Sequence, residues 1–429
     1  MAECEHNLKE TRMSIETVDT LVVGAGQAGV AISEHLSKQG ISHIVLERNR
    51  IAENWRTARW DSLVANGPAW HDRFPGMTFS NVEDDAFAPK ERVADYFVDY
   101  AKQISAPIRC GVEVTAVKRN SEGPRFRVET SEGIYEADNI VSATGAFQVP
   151  VFPEIVPKTE GIEQIHSHAY RNPGQLLEGA VLVVGAGSSG TQIAEELMRS
   201  GRRVYLSVGP HHRPPRRYRG KDFVWWLGVL GIWDLKAPAP NTEHVTIAVS
   251  GADGGKTVDF RLLAERGMTL LGMAKTYISG TLEFAGDLKD NITLGDRNYL
   301  DLLDKADEYA QKHGLDLPEE PSARVLSNDP ACVSDPILSL DLKKNGITSI
   351  IWATGYSFDY TWLHLDAFDA KGRPVHERGV SRVPGLFFLG LPWLSRRASS
   401  FIWGVWHDAA YLAEQIADRG ELEKRTRVS

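Results

Sequence analysis

The chain is poor in cysteine: three residues in 429, Cys4, Cys110 and Cys332, none of them in a CxxC pair. That excludes a dithiol redox centre and a clustered cysteine–zinc site. Neither His166-x-His168 nor His211-His212 has the carboxylates or cysteines that complete a recognised metal site, so no metal is expected. A Walker lysine and a GxSxG elbow are both missing, which removes P-loop and α/β-hydrolase chemistry. Long apolar runs are absent too. The strongest, Phe223–Trp233, has eleven residues, too few to span a bilayer. With a net charge of −9 there is no positive excess to draw nucleic acid or an anionic membrane, and neither is expected as a partner. The opening MAECEHNLKE is polar and acidic, unlike a secretory signal or a transit peptide, so a cytoplasmic location is expected.

What is present is a duplicated pattern. Val18–Val23 is a β-branched apolar run that ends in glycines; a helical pattern follows from Gly29 to Lys38, then a second apolar run, Ile44–Leu46. Ala180–Val184, the helical stretch Gln192–Arg199 and Val204–Leu206 repeat the design 161 residues later. Each copy reads as strand–turn–helix–strand, the βαβ unit of a nucleotide-binding half. Each also ends on a matching marker, IVSATG at 140–145 and IIWATG at 350–355. Val112–Val117, Phe126–Glu129 and Ile134–Glu136 should form an antiparallel meander before the first marker, and Thr269–Leu271 with Thr281–Phe284 should do the same before the second. Leu300–His313 has the spacing of an amphipathic helix. The fold class expected is α/β, with two Rossmann-like dinucleotide-binding domains, the second inserted into the first. The first should comprise residues 14–171 and 356–429. The second should comprise 172–355, with an additional segment at about 223–340.

Gly24-Ala25-Gly26-Gln27-Ala28-Gly29 is a GxGxxG turn between a strand and a helix. Gly24 permits the tight turn, Gly26 lets a pyrophosphate approach the backbone, and Gly29 lets helix and strand pack closely. Glu47, followed by Arg48, ends the second strand 23 residues after Gly24. A carboxylate there accepts hydrogen bonds from ribose hydroxyls and repels a 2′-phosphate, so this site suits FAD or NAD. Gly185-Ala186-Gly187-Ser188-Ser189-Gly190 has the same shape. Here Ser207 stands where Glu47 stood, and Arg213, Arg216, Arg217, Arg219 and Lys221 follow. A hydroxyl with guanidinium groups suits a 2′-phosphate, which makes the second site one for NADPH. Arg213 and Arg216 are the candidate contacts, with a solvated basic loop as the alternative. Thr144-Gly145 and Thr354-Gly355, at the ends of the marker strands, are further cofactor candidates.

Two such halves without a redox cysteine pair resemble the class B flavoprotein monooxygenases, over nearly the whole chain. The resemblance is nearest to the single-component flavin-containing type, which includes the plant auxin-forming enzymes and their bacterial relatives. Asn54-Trp55-Arg56 looks like the family's flavin-contacting stretch, which implies that Trp55 and Arg56 bind cofactor. Asn66 falls where the family has an active-site asparagine, and His166 to Tyr170 looks like the end of its HxxxY fingerprint. Asn66 and Tyr170 are the catalytic residues this implies, although Asn66-Gly67-Pro68 is also a strong turn sequence. The segment 385–390, GLFFLG, resembles a late strand of the FAD domain and adds Gly390. Ser400 and Phe401 open a C-terminal helix, Phe401–Ala417, whose positive end would face the flavin. His71, His407, Trp393, Trp403 and Trp406 are possible pocket lining.

The resemblance implies cofactors FAD and NADPH. It implies a monooxygenase that forms a C4a-(hydro)peroxyflavin and inserts one oxygen atom of O2 into a small amine, sulfide or carbonyl compound. Tyr170 replaces the tryptophan usual in Baeyer–Villiger members, which tilts against ketone oxygenation. The alternatives are Baeyer–Villiger or decarboxylating oxygenation of a ketone or 2-oxo acid, and an NADPH-dependent flavin reductase or oxidase without oxygen transfer. A homodimer is left open.

Overall fold

The computed structural model describes residues 15–120, 126–158, 161–237 and 246–428. The N-terminal stretch with Cys4, and residue 14 where the first domain was expected to begin, lie outside the described residues.

In the first sheet, Leu386–Phe388, Ile134–Ser142, Ile15–Val23, His43–Glu47 and Ile108–Cys110 lie side by side in parallel. Leu21, Val22, Ile140, Val141 and Phe388 are fully buried, as expected of parallel strands covered on both faces. Ile134–Ser142 has two partners. Its first half pairs antiparallel with Phe126–Thr130, which pairs with Val114–Arg119, so the expected meander is present. The same strand runs on beside Ile15–Val23 into the Ala-Thr-Gly marker.

The second sheet is wholly parallel, in the order Thr269–Leu271, Val204–Ser207, Ala180–Val184, Ile347–Trp352, Glu163–His166. Two expectations are corrected by it. Glu163–His166 pairs with Ile347–Trp352, so the second unit takes its edge strand from residues that had been assigned to the first. Thr269–Leu271 is a strand of the main sheet, and the second meander is made of Ala274–Ile278, Thr281–Phe284 and Ser339–Asp341. A 25-residue helix, Leu288–Lys312, fills the gap before the last of these and starts well before Leu300. The chain passes between the units along Val149–Pro150 and Tyr356–Ser357, which pair antiparallel. The second unit is thus inserted into the first. The C-terminal helix, Ile402–Val428, runs beyond the expected Ala417. Among the described residues no helix is long and apolar enough to cross a membrane.

The glycine turns account for the duplicated markers. Gly24 has φ +103°, and a Cβ there would stand 2.8 Å from the Ala143 carbonyl oxygen. Gly185 has φ +105° and would meet the Ala353 oxygen at 2.5 Å. The alanine of each Ala-Thr-Gly marker therefore closes against the first glycine of its own motif. The third glycine is tighter still: a Cβ on Gly29 would lie 1.9 Å from the Gly24 oxygen, and one on Gly190 1.8 Å from the Gly185 oxygen. No side chain fits there without separating helix from strand. Gly29→Ala should cost roughly 1–3 kcal/mol as overpacking does. Thermal unfolding by circular dichroism should show the lower midpoint; an unchanged midpoint would mean that the helix gives way freely.

Candidate dinucleotide sites and the seam between them

The helix Gln27–Lys38 starts at Gly26, whose N-cap position makes no side-chain hydrogen bond. A Cβ on Gly26 would meet nothing within 4 Å, so this stretch of backbone is open to an approaching ligand. Unpaired first-turn amides at such a position attract phosphate. Glu47 is fixed beside them: Oε2 accepts from the Ala25 amide at 2.8 Å and Oε1 from the Asn49 amide at 2.9 Å. Each carboxylate oxygen keeps a further lone pair, and the side chain is half-buried. Arg48 beside it is exposed.

Distant segments converge on this turn. A Cβ on Gly390 would lie 3.0 Å from Ala28 Cβ and 3.9 Å from Gly145 Cα. Gln27 Nε2 donates to the Ser400 carbonyl at 2.8 Å. Thr144 Oγ1 accepts from Gln148 Nε2 at 2.9 Å, which steadies the marker turn. Gly24, Gly26, Gln27, Gly29, Glu47, Thr144, Gly145, Gly390 and Ser400 are thereby brought together. Open backbone, an uncapped helix and a fixed carboxylate suit the pyrophosphate and ribose of FAD. Trp55 is half-buried and packs against the cores of both units. Arg56 is held elsewhere, its Nη2 donating to Asp95 Oδ1 at 3.0 Å.

The second motif repeats the turn, with Gly187 as the N-cap of Ser188–Arg199 and no side-chain cap bond. Ser188 Oγ donates to the Ile247 carbonyl at 2.8 Å, and Ser189 is half-buried at the head of the helix. Thr354 Oγ1 donates to the Val151 carbonyl at 2.6 Å, and the Gly355 carbonyl meets His166 Nε2 at 3.0 Å, so this marker ties down the connecting strands. Burial pushes the His166 imidazole down to about 4, against the pull of that carbonyl.

The proposed 2′-phosphate contacts are corrected. Ser207 is buried, donates to the Gly272 carbonyl at 2.8 Å and accepts from the Ala274 amide at 3.2 Å, so its hydroxyl is used up inside the protein. Register also moves it. The Gly24 amide donates to the Leu46 carbonyl and the Gly185 amide to the Ser207 carbonyl, so Ser207 corresponds to Leu46, and Val208 to Glu47. Arg213 is buried, with Nε and Nη2 on Asp296 Oδ1 at 3.0 and 2.5 Å. Asp296 also takes Arg261 at 2.7 Å. Arg216 is buried and grips Asp222 through Nε at 3.0 Å and Nη2 at 2.6 Å, between the rings of Phe87 and Phe223. Burial draws its guanidinium below the usual range while Asp222 opposes. Arg213 and Arg216 form neither a solvated loop nor a phosphate clamp: they turn inward because Asp296 and Asp222 offer charge there, Arg219 reaches Asp307, and Arg217 stays exposed with Nη1 on the Gly254 carbonyl at 2.9 Å.

Asn66 stands at the seam. Its Oδ1 accepts from Gln192 Nε2 at 2.9 Å, on the second motif's helix, and its carbonyl accepts from Arg216 Nη1 at 2.6 Å. Asp72 holds the turn, with Oδ2 taking the Gly67 amide at 2.9 Å and Oδ1 meeting His71 Nδ1 at 2.7 Å. His71 stacks on Trp233 and lies near Trp403, and Trp233 meets Phe401 edge-on. His407 touches Trp403, whereas Trp406 packs on Phe74 and Tyr100 in the first core. Phe223–Trp233, to which no motif gave a role, therefore walls the C-terminal segment. Arg396 Nη1 to Asp234 at 2.7 Å fastens it. Tyr170 is corrected as well. It is fully buried in the second core, its hydroxyl donates to Glu196 at 2.7 Å, and burial with Glu196 pushes its pKa up. It supports packing and reaches no cleft.

A family model described as pyridine nucleotide-disulphide oxidoreductase matches residues 21–227. An uncharacterized CzcO-like oxidoreductase of Geobacillus kaustophilus is 34% identical over 93% of this chain and 98% of its own length. A probable indole-3-pyruvate monooxygenase of Arabidopsis thaliana, YUCCA4, is 26% identical over 93% of this chain and 90% of its own. The solved flavin-containing monooxygenase of Stenotrophomonas maltophilia matches with a TM-score of 0.64 at 20% identity, over 94% of this chain and 99% of that one, which speaks to fold.

Arg216→Ala would leave Asp222 charged and unpaired in the interior. The expected loss is about 3–5 kcal/mol in denaturant unfolding, with a smaller loss when Asp222→Ala is added. Equal losses for the single and double variants would remove the ion pair from the stability of the seam.

Proposed function

Because the chain belongs to the family of the CzcO-like oxidoreductases and is related to the class B flavin-containing monooxygenases, we propose that it is an FAD-dependent monooxygenase. Its substrates would be O2, a reduced nicotinamide dinucleotide and a small organic amine, sulfide or carbonyl compound. When bound and reduced, FAD supplies the electrons that activate O2 for transfer of one oxygen atom. The first motif would hold FAD and the second the dinucleotide, which the family resemblance gives as NADPH. The two domains would divide near residues 163 and 355, at the strands that cross between the sheets.

The observation that carries this reading is the convergence on Gly24–Gly29. Glu47 is fixed on the Ala25 amide, Gly390 lies on Ala28, and Gln27 reaches Ser400, all around the open backbone at Gly26, where a Cβ would meet nothing within 4 Å. The residues of this chain then have distinct tasks. The helix amides and Glu47 bind the diphosphate and the ribose. Asn66, its Oδ1 taken by Gln192, would offer its Nδ2 donor to a ligand between the motifs. Trp233, packed on His71 and edge-on to Phe401, would help to exclude water, which otherwise diverts activated oxygen to H2O2.

The test uses purified yellow protein, reduced without air and then given 18O2 with panels of amines, sulfides and ketones. Transfer of one labelled atom to a substrate supports a monooxygenase, and the product class selects between heteroatom and carbonyl oxygenation. Stoichiometric H2O2 with every substrate would replace the reading with an oxidase or reductase. Gly26→Ala should fold normally, since its Cβ meets nothing, yet purify with less than about a tenth of the flavin, by loss of close approach. Full flavin content in that variant would move the pyrophosphate away from Gly26.

A further inference from the structure

The two units align residue by residue through their strands, and this alignment bears on coenzyme choice. Val23 pairs with Leu46 and Val184 with Ser207, so the residue after each pair occupies the same place at the strand end. In the first unit that residue is Glu47, and in the second it is Val208, fully buried in the core. A carboxylate at this place takes both ribose hydroxyls and turns a 2′-phosphate away. Val208 does neither, so nothing here rejects the phosphate.

Gly209 and Pro210 come next and carry no charge. The cations that follow are engaged elsewhere: Arg217 Nη1 donates to the Gly254 carbonyl at 2.9 Å, Arg219 pairs with Asp307, and Lys221 lies over the Trp225 ring. His211 is buried with Nδ1 on the Gly209 carbonyl, and burial pushes its imidazole down to about 4, so it is neutral near pH 7. Arg213 and Arg216 are committed to Asp296 and Asp222. Releasing Arg216 would strand the buried Asp222 carboxylate, and releasing Arg213 would break a buried pair and leave Asp296 to Arg261 alone. The Ser207 hydroxyl is engaged at both its donor and an acceptor position. The residues present therefore fit the ADP-ribose core of a dinucleotide but not a selective 2′-phosphate site.

We propose that the second site takes NADH and NADPH without discriminating between them. The inference rests on the reading of that motif as the nicotinamide dinucleotide site. Gly209 is where selectivity could be installed. A Cβ there would meet Met273 Cγ at 3.4 Å, ordinary contact, and its φ is not positive, so a side chain is tolerated.

The test measures anaerobic bleaching of the bound flavin by NADH and by NADPH, with dissociation constants for NAD+ and NADP+ by calorimetry. Both coenzymes should reduce the flavin, with constants within about tenfold of one another, less than a charge-assisted phosphate contact gives. Gly209→Arg should tighten NADP+ relative to NAD+ by roughly ten- to a hundredfold, and Gly209→Glu should weaken it, at unchanged melting temperature. A preference beyond tenfold for either coenzyme in the parent protein overturns the inference. A preference for NADPH that disappears in Lys275→Ala would place the contact on that exposed lysine instead. Reduction and binding by neither coenzyme, in folded protein, overturns the functional reading and the inference with it. Selectivity for one alone leaves the functional reading standing.

Discussion

Both dinucleotide cradles depend on a contact that no side chain can enter, the first turn of a helix lying on the carbonyl of the strand-end glycine. Gly29 sits on Gly24 in one unit and Gly190 on Gly185 in the other. Because helix and strand touch backbone to backbone, the helix axis points its amides at the turn. Everything else in each site is arranged around that fixed axis. Ala143 and Ala353 close it from the neighbouring strand, and in the first unit Glu47, Gly390 and Ser400 reach it from three other parts of the chain. A methyl group at Gly29 would disturb all of these together, since they share one reference point.

Features set by local backbone requirements were legible in the sequence. Glycine turns, β-branched runs and the Ala-Thr-Gly ends are short-range signals, and they placed the central strands of both parallel sheets and the insertion of one unit in the other, while the two edge strands of the second sheet were assigned elsewhere. Features set by distant partners were not. Arg213 and Arg216 look like a phosphate clamp when only their neighbours in the chain are considered. Asp296 lies 83 residues from Arg213, on a helix whose start the sequence pattern missed. Asp222 is only six residues from Arg216, but nothing local shows that both face inward. Tyr170 was misjudged for the same reason, as its partner Glu196 lies on the helix of the second motif.

That misjudged charge is one of the ties across the seam between the units, beside Ser62 to Glu196, Asn172 to Asp61 and Arg396 to Asp234. Arg216 donates to the Asn66 carbonyl while clasping Asp222, and Phe87 and Phe223 cover its faces. A buried guanidinium with every donor occupied has one low-energy position, because any shift exposes an unpaired charge to a poorly polarisable interior. This fixes the Asn66 backbone from one side while Gln192 fixes its side chain from the other. The turn chemistry of Asn66-Gly67-Pro68 and a role at the seam are therefore compatible. Asp72, whose carboxylate takes the Gly67 amide and fills the space a Gly67 side chain would enter, shapes the turn, and Arg216 sets where it stands.

Strand register also shows how small a misalignment can reverse a chemical conclusion. Counting from apolar runs matches Ser207 with Glu47, and a hydroxyl in place of a carboxylate suggests a site that welcomes phosphate. Hydrogen bonding from Gly185 to the Ser207 carbonyl moves the match by one residue. In a strand, one residue exchanges the two faces of the sheet. Ser207 then turns its hydroxyl to Gly272 and Ala274, tying Val204–Ser207 to the meander, and Val208 fills the core. The strand end that carries a carboxylate in one unit is built in the other from an isopropyl group and a glycine. The duplication preserved the backbone that receives a diphosphate and left the second unit without the side chain that distinguishes one ribose from another.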